Sequence, residues 1–239
     1  MEVNITYIYH SCFSIQLQDK VFLFDYPGAE VGANAEKKLR SQIRGRDLFV
    51  FVSHAHGDHF SPEVTDFSSG AESARFILSK DVPSRRFSLQ SDYKVREVKP
   101  GRSYSIDDVV VKTFESNDAG VAFLLRTEGA TIYYGGDLAK WNWPEWSERK
   151  REEHVKVFDE VVRSLKDEDI DIAFSNMDER LPSWAGPVEF MEKVKPAYFV
   201  PMHTFGSEEW IDDLVEKGWG SDTELFHYSS PGDEVSWNI

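Results

Sequence analysis

The order of apolar and polar residues along the chain predicts an α/β protein. Up to Tyr134, short apolar or alternating runs bounded by turn residues indicate a series of strands. The predicted strands of this part are Ile5–Tyr9, Cys12–Leu17, Val21–Phe24, Leu48–Val52, Arg75–Leu78, Tyr93–Val98, Ser103–Ile106, Val109–Phe114, Val121–Arg126 and Thr131–Tyr134. Asp107–Asp108 and Glu128–Gly129 are typical of the turns that join hairpin strands.

Apolar residues at helical spacing lie between and after these strands. The predicted helices are Ala35–Arg44 with Asn34 as its cap, Pro144–Leu165, Pro187–Val194, and one that is capped by Ser207 and ends at Gly218. The later predicted strands are Ile170–Phe174, Tyr198–Val200, Glu224–Tyr228 and Glu234–Trp237. Because strands occur in both halves and helices follow each set, we expect two sheets with helices outside.

Composition and charge narrow the class of protein. The chain has 239 residues, of which 14% are aromatic, so it is long enough to bury a substantial core. The formal net charge of −15 repels phosphate backbones and argues against long nucleic acid as a main partner. It does not exclude a small anionic substrate, because bound metal ions invert the local field. A single cysteine, no signal-peptide pattern and no apolar run of membrane-spanning length together predict a cytoplasmic protein that does not bind membranes.

The segment from Ser53 to His59 carries the strongest chemical signal. It holds His54, His56, Asp58 and His59 directly after a predicted buried strand. Neutral imidazole and carboxylate are ligands for Zn²⁺, Mn²⁺ and iron, and this spacing is typical of a metal-binding motif. If the segment is extended, His59 points away from the other three, so the loop is predicted to address two metal ions.

This motif resembles the signature of the metallo-β-lactamase fold superfamily, whose members are mostly metal-dependent hydrolases. The resemblance covers almost the whole chain and implies one domain, residues 1–239, with a four-layer αββα sandwich of two mixed sheets. It also implies that Asp137, after Gly135–Gly136, bridges two metal ions and that His203 is a further ligand. We expect all these ligands to meet at one edge of the sandwich, where Asp58 accepts a proton.

One ligand of the family pattern is missing, because no histidine lies between His59 and Asp137. Asp118 is our first choice as its replacement, and Glu115 is a weaker one. Oxygen ligands would shift the preference from zinc toward manganese or iron. The alternative is that the first metal site, which lacks a ligand, is weak or empty and that only one metal is bound firmly.

Six further positions have predicted roles: His10, Asp25, Arg180, Trp141, Trp143 and Trp146. Tyr9-His10-Ser11 resembles the opening of the ascorbate-6-phosphate lactonase-like branch of the superfamily, where a histidine lies close to the metals. His10 therefore either fills the gap or acts on the substrate, unless it is a structural histidine bonded to backbone. Asp25 matches a position that orients a ligand histidine. Arg180 is a candidate clamp for a carboxylate or phosphate, and the tryptophans that follow Asp137 form either an apolar wall or a helix anchor.

Together these features predict a hydrolase that uses metal-activated water on a small ester, lactone or phosphoester. One or two zinc ions are the expected cofactor, with manganese or iron as alternatives. A phosphodiesterase or nuclease of the same fold remains open, as does a non-catalytic metal-binding protein. The sequence gives no indication of the natural substrate or the oligomeric state.

Overall fold

A computed structural model describes residues 1–83, 94–127, 129–216 and 223–239. The strands in these residues are β1 Glu2–Tyr9, β2 Cys12–Leu17, β3 Lys20–Phe24, β4 Asp47–Val52, β5 Ser73–Ser79, β6 Lys94–Val98, β7 Ser103–Ile106, β8 Val109–Glu115, β9 Val121–Thr127, β10 Ala130–Tyr134, β11 Ile172–Asn176, β12 Tyr198–Met202, β13 Glu224–Leu225 and β14 Glu234–Asn238. The α-helices are α1 Ala33–Ile43, α2 Glu148–Leu165, α3 Pro187–Val194 and α4 Trp210–Glu216, and Pro62–Gly70 forms a 3₁₀ helix.

The chain divides into two compact units, and each has its own sheet. The first unit comprises residues 1–99 and 228–239, and the second comprises residues 100–227. Each sheet has seven strands and mixes parallel with antiparallel pairs. The predicted α/β class with two mixed sheets is therefore confirmed, whereas a single domain over the whole chain stays a prediction.

The sheet of the first unit has the strand order β14-β1-β2-β3-β4-β5-β6. Strands β1 to β3 form an antiparallel meander, and β3 to β6 run parallel. Every residue of β3 is buried, as is typical of a parallel strand that is covered on both faces. Helix α1 packs Leu39 and Ile43 into one core with Leu23 and Val50 of the sheet. The parallel strands therefore end at one edge, where the histidine loop begins.

The sheet of the second unit has the strand order β13-β12-β11-β10-β9-β8-β7. Antiparallel hairpins build one side of it, and β10 to β13 run parallel. Helices α2 and α3 cover a face of this sheet, since Phe158, Val162 and Phe190 join one core with Leu124 and Phe199. The carboxyl ends of β10, β11 and β12 thus lie side by side.

Several predicted boundaries are wrong for local reasons. Helix α1 has Gly32, not Asn34, at its N-cap, because the Gly32 carbonyl already accepts the first helical bond. Helix α2 begins at Glu148 rather than Pro144, since the Ser147 side chain caps it. The strand predicted over Glu224–Tyr228 is only Glu224–Leu225.

Some predicted features lie outside the described residues or start later than predicted. Tyr93, Glu128 and the predicted helix end Gly218 lie outside the described residues, and the helix after Ser207 starts at Trp210. In the described part of the chain, no helix combines the length and apolar character needed to span a bilayer.

Candidate metal centre

The histidine loop of the first unit is fixed at both ends. It leaves the buried strand β4 at Ser53, and Ser61 caps the 3₁₀ helix that follows. The amide of Ser61 donates to the Tyr26 carbonyl at 2.8 Å, and the amide of His59 donates to the His56 carbonyl at 3.1 Å. The loop therefore turns between His56 and His59. Because it is not extended there, the predicted alternation of side chains is wrong.

A buried carboxylate, Asp25, connects the strand end to the loop. Its oxygens accept from the Ser53 amide at 2.7 Å, the Ser53 hydroxyl at 2.6 Å and His59 Nδ1 at 2.8 Å. Asp25, Ser53, His54 and His59 are all completely buried. The negative charge is thus held by three donors, as a buried carboxylate requires.

These bonds determine which imidazole nitrogens carry protons. The single Ser53 hydroxyl proton goes to Asp25, so Ser53 Oγ accepts from His54 Nδ1 at 2.9 Å. His59 likewise uses its Nδ1 proton on Asp25. In the neutral form of both histidines the proton is on Nδ1 and Nε2 is unprotonated, which is the form that ligates a metal.

Two groups of donor atoms result in the first unit. His54 Nε2 lies 2.9 Å from His56 Nδ1. Asp58 Oδ2 lies 3.5 Å from His10 Nε2 and 3.8 Å from His59 Nε2. The ligand atoms of His10, Asp58 and His59 all lie within 4.8 Å of one another. Nitrogen and carboxylate donors at such separations fit a divalent transition metal.

Asp58 is held ionised by its neighbours. Its hydrogen bond with His10 lowers the pKa of the carboxyl most, and the nearby His59 lowers it further, against the opposing effect of burial. The resulting pKa is about 2. An ionised carboxylate beside two imidazoles can either ligate a cation or accept a proton from water.

In the second unit, Asp137 follows the end of β10. A Cβ on Gly135 would lie 3.3 Å from the Phe174 carbonyl oxygen, so the strand end permits the close backbone approach expected there. The side-chain amide of Asn176 donates to the carbonyl of Gly136 at 2.9 Å, and Trp141 Nε1 donates to the carbonyl of Asp137 at 2.9 Å. Asn176, from the end of β11, and Trp141, four residues further along the same segment, thus fix the Asp137 loop.

Asp118 lies close to Asp137. Asn117, its neighbour, donates to the Ala139 carbonyl at 2.6 Å and accepts from the Ala139 amide at 3.2 Å. This pair of hydrogen bonds joins the two loops, and the carboxylates of Asp118 and Asp137 approach within 4.8 Å. Asp118 is exposed and Asp137 is buried.

His203 follows β12 and packs against aromatic side chains. Its ring centroid lies 5.1 Å from that of Trp141 and 4.5 Å from that of Phe205. His10, Asp25 and His203 all have positive φ values, of 53°, 46° and 70°. Such values are uncommon outside glycine and often mark functional positions, so these three strand-end residues are held in a costly backbone conformation.

A family model described as the beta-lactamase superfamily domain matches residues 4–203. The chain belongs to this family. A search of curated protein sequences found no match.

Solved structures share the metallo-β-lactamase fold with this chain. Igni18, a metallo hydrolase from Ignicoccus hospitalis, aligns over 100% of both chains with 15% identity and a TM-score of 0.67. Zn²⁺-bound PqqB from Methylobacterium extorquens aligns over 100% of both chains with 9% identity and a TM-score of 0.62. CmlA, a diiron β-hydroxylase from Streptomyces venezuelae, covers 100% of this chain with 54% of its own length, at 14% identity and a TM-score of 0.62.

The structure places the remaining candidates as follows. Arg180 is exposed, but its guanidinium already donates to the buried carboxylate of Asp178 through Nε at 2.8 Å and through Nη2. Trp141 is buried in a small apolar cluster, and Trp146 packs on His154 of α2. The anchor role of the tryptophans is therefore present, and Trp141 also binds the Asp137 loop.

Sequence reasoning missed the residues that position the candidates. Asn117, Asn176 and Asp178 carry no motif, and only their contacts reveal them. Their polar types at strand ends were the one available signal. The assignment of the full ligand set stays a prediction.

Proposed function

We propose that this member of the family is a metal-dependent hydrolase acting on a small ester, lactone or phosphoester. The proposed ligands are His54, His56, Asp58, His59, Asp118, Asp137 and His203, with His10 beside Asp58 as either a ligand or a substrate contact. Zinc is our first choice of metal, with one or two ions, and manganese or iron is the alternative.

The observation that carries this proposal is the Asp25 hydrogen-bond network. It holds the neutral rings of His54 and His59 in the tautomer whose Nε2 can ligate a metal, in a completely buried setting. Histidines that serve only the core need no such shared arrangement. Carboxylate–histidine pairs of this kind raise the basicity of metal ligands and fix their orientation.

The chemistry of the donor set fits a catalytic metal. A metal held by such ligands acts as a Lewis acid and lowers the pKa of bound water to about 7. Asp58, ionised at neutral pH, accepts the proton of the attacking water. His10 lies 3.5 Å from the same carboxylate and stabilises its charge. Arg180 is proposed to hold an anionic group of the substrate.

The choice among metals rests on ligand type. Three of the eight side chains considered, Asp58, Asp118 and Asp137, offer oxygen donors, and the other five are histidines. Asp118 stands where the family has a histidine. Structures of this fold hold zinc in PqqB and two irons in CmlA, at identities too low to decide the metal here. Hard oxygen ligands favour manganese or iron more than an all-histidine site does.

The proposal is tested by measuring metal content and hydrolysis together. Protein purified without added metal should carry at least one equivalent of zinc, manganese or iron. It should hydrolyse an aryl ester or bis(p-nitrophenyl) phosphate, lose that activity with EDTA, and regain it when metal is restored. Bound metal without turnover of any ester, lactone or phosphoester would favour the non-catalytic alternative, and turnover of the phosphodiester alone would favour the phosphodiesterase.

A further inference from the structure

A series of contacting side chains in the second unit connects Arg180 with the candidate ligand His203. The guanidinium carbon of Arg180 lies 5.3 Å from the ring centroid of Trp143 and 5.8 Å from that of Phe205. Trp143 stacks on Trp141 at 6.3 Å with an interplanar angle of 7°. Trp141 and Phe205 both contact the ring of His203. We call Trp141, Trp143 and Phe205 the aromatic rim.

The buried carboxylate of Asp178 holds the guanidinium of Arg180 in place. Asp178 is completely buried, and both of its oxygens accept from Arg180, one from Nε and one from Nη2. This pairing raises the pKa of Arg180 above its usual value. Arg180 is therefore permanently charged. The hydrogen bonds to Asp178 and the contacts with the rings of Trp143 and Phe205 together fix the plane of its guanidinium.

One edge of the guanidinium stays available. Arginine has five N–H donors, and the bonds to Asp178 use the edge formed by Nε and Nη2. The end-on edge, formed by Nη1 and Nη2, donates to no side chain among the residues that the structure describes. The Arg180 side chain is 55% exposed, so this second edge can receive an oxyanion from solvent.

Phe205 is the unusual member of the rim. Among the residues that the structure describes, it is one of few large apolar residues that are exposed, at 46%, and its φ is 51°. An exposed phenyl ring in a costly left-handed conformation, two residues after a candidate ligand, is poorly explained by core packing. Its placement against both His203 and Arg180 gives a flat apolar surface between the candidate metal ligand and the fixed cation.

We propose that Arg180 and the aromatic rim form a subsite for an oxyanion that is carried on a flat, apolar body. The end-on edge of Arg180 binds the carboxylate or phosphate, and Phe205 packs against the body. The inference rests on the proposed function, since it assigns the substrate of that site as an anionic aryl compound. Asp178 acts through Arg180 and is a positioning residue.

The test compares two aryl esters that differ by one carboxylate group. Hydrolysis of phenyl acetate and 4-acetoxybenzoate is measured for the wild type, Arg180→Gln, Arg180→Lys and Phe205→Ala. Arg163→Gln, which removes an exposed arginine of α2, is the matched control. We expect the wild type to favour the anionic ester in kcat/KM, and Arg180→Gln to reduce that preference about 10- to 100-fold. Arg180→Lys should keep only part of the preference for the anionic ester, because lysine cannot bind an oxyanion through two parallel N–H donors.

Phe205→Ala should lower kcat/KM for both esters by about 3- to 10-fold, since both carry the aryl ring. Arg163→Gln should keep the wild-type ratio. An unchanged ratio in Arg180→Gln, in protein whose thermal unfolding matches the wild type, overturns the subsite. If Arg180→Gln does not fold, the same comparison is made with Arg180→Lys, and an unchanged ratio there overturns it equally.

A binding measurement separates failure of the subsite from failure of the proposed function. Tryptophan fluorescence is titrated with benzoate, phenylphosphonate and neutral benzyl alcohol, and Trp143→Phe identifies the reporting ring. Binding of an oxyanion that weakens at least about tenfold in Arg180→Gln, in protein that hydrolyses nothing, supports the subsite and overturns the hydrolase. Hydrolysis without Arg180-dependent binding of benzoate or phenylphosphonate supports the hydrolase and overturns the subsite. Comparing benzoate with phenylphosphonate shows whether the guanidinium of Arg180 prefers a carboxylate or a phosphonate.

Discussion

Asp25 shows how one side chain can determine the chemistry of several others. It directly follows β3 with a φ of 46°, and it accepts three hydrogen bonds while it is completely buried. Through Ser53 and directly, it sets the tautomers of His54 and His59. The sequence indicated that Asp25 orients a ligand histidine, but Ser53 and the link to His54 emerge only from the structure.

Replacing Asp25 with asparagine should therefore weaken metal binding more than it weakens the fold. An amide NH₂ facing His59 Nδ1 requires that nitrogen to accept, which moves the proton to Nε2 and blocks ligation. We expect metal affinity to fall about 10- to 100-fold, measured by chelator competition. Asp19→Asn, at an exposed turn position, is the control. Equal metal affinity in Asp25→Asn and Asp19→Asn would show that the network does not support metal ligands.

Asp118 is the residue on which the departure from the family pattern depends. Its carboxylate lies within 4.8 Å of that of Asp137, and Asn117 ties the two loops together. We expect Asp118→Ala to lower metal stoichiometry, and Asp118→His to keep it while shifting the preference toward zinc. The measurement is metal content after equilibration with equal zinc and manganese. Unchanged stoichiometry and preference in Asp118→Ala would leave His10 as the replacement ligand.

At the scale of elements, the candidate residues are carried by strand ends. Ser53 follows β4, Asp137 follows β10 and His203 follows β12, as the apolar runs before them predicted. Strand positions could be predicted because buried parallel strands are nearly continuous apolar runs. The turn between His56 and His59 could not, because a short polar loop takes its conformation from bonds such as that between Ser61 and Tyr26.

The loop before α3 illustrates a constraint that the sequence does not display. Gly186 has a φ of 96°, and a Cβ there would lie 2.9 Å from Lys140 Cβ and from Phe158 Cζ. Gly45 also has a positive φ, of 67°, but a Cβ there would meet nothing within 4 Å. A substitution at either glycine therefore strains the backbone, but only at Gly186 would the added Cβ also collide with neighbouring side chains.

We expect Gly186→Ala to destabilise the protein by about 2–4 kcal/mol, from about 1–2 kcal/mol of left-handed strain plus the cost of overpacking. Gly45→Ala should cost only about 1–2 kcal/mol, because strain alone applies. Urea unfolding of both variants measures the difference. Equal losses of unfolding free energy would mean that the Phe158 and Lys140 contacts relax without cost.

At the scale of the whole molecule, we expect apolar burial rather than a metal to hold the fold together. Each unit has its own buried cluster of strand and helix residues, and the single cysteine is buried. The family match and the structural neighbours agree with the fold that the histidine motif predicted. Membership of the ascorbate-6-phosphate lactonase-like branch stays a prediction, because a fold shared at 15% identity does not separate branches.

Metal content of single-histidine variants tests the central claim most directly. Metal stoichiometry of the wild type, His59→Ala and His203→Ala is measured beside aryl ester hydrolysis and circular dichroism. His227→Ala, which removes an exposed histidine paired with Asp212, is the control. We predict that His59→Ala and His203→Ala lose metal and hydrolysis yet keep the wild-type spectrum, and that His227→Ala keeps all three. Full metal content and activity in both His59→Ala and His203→Ala would contradict the account.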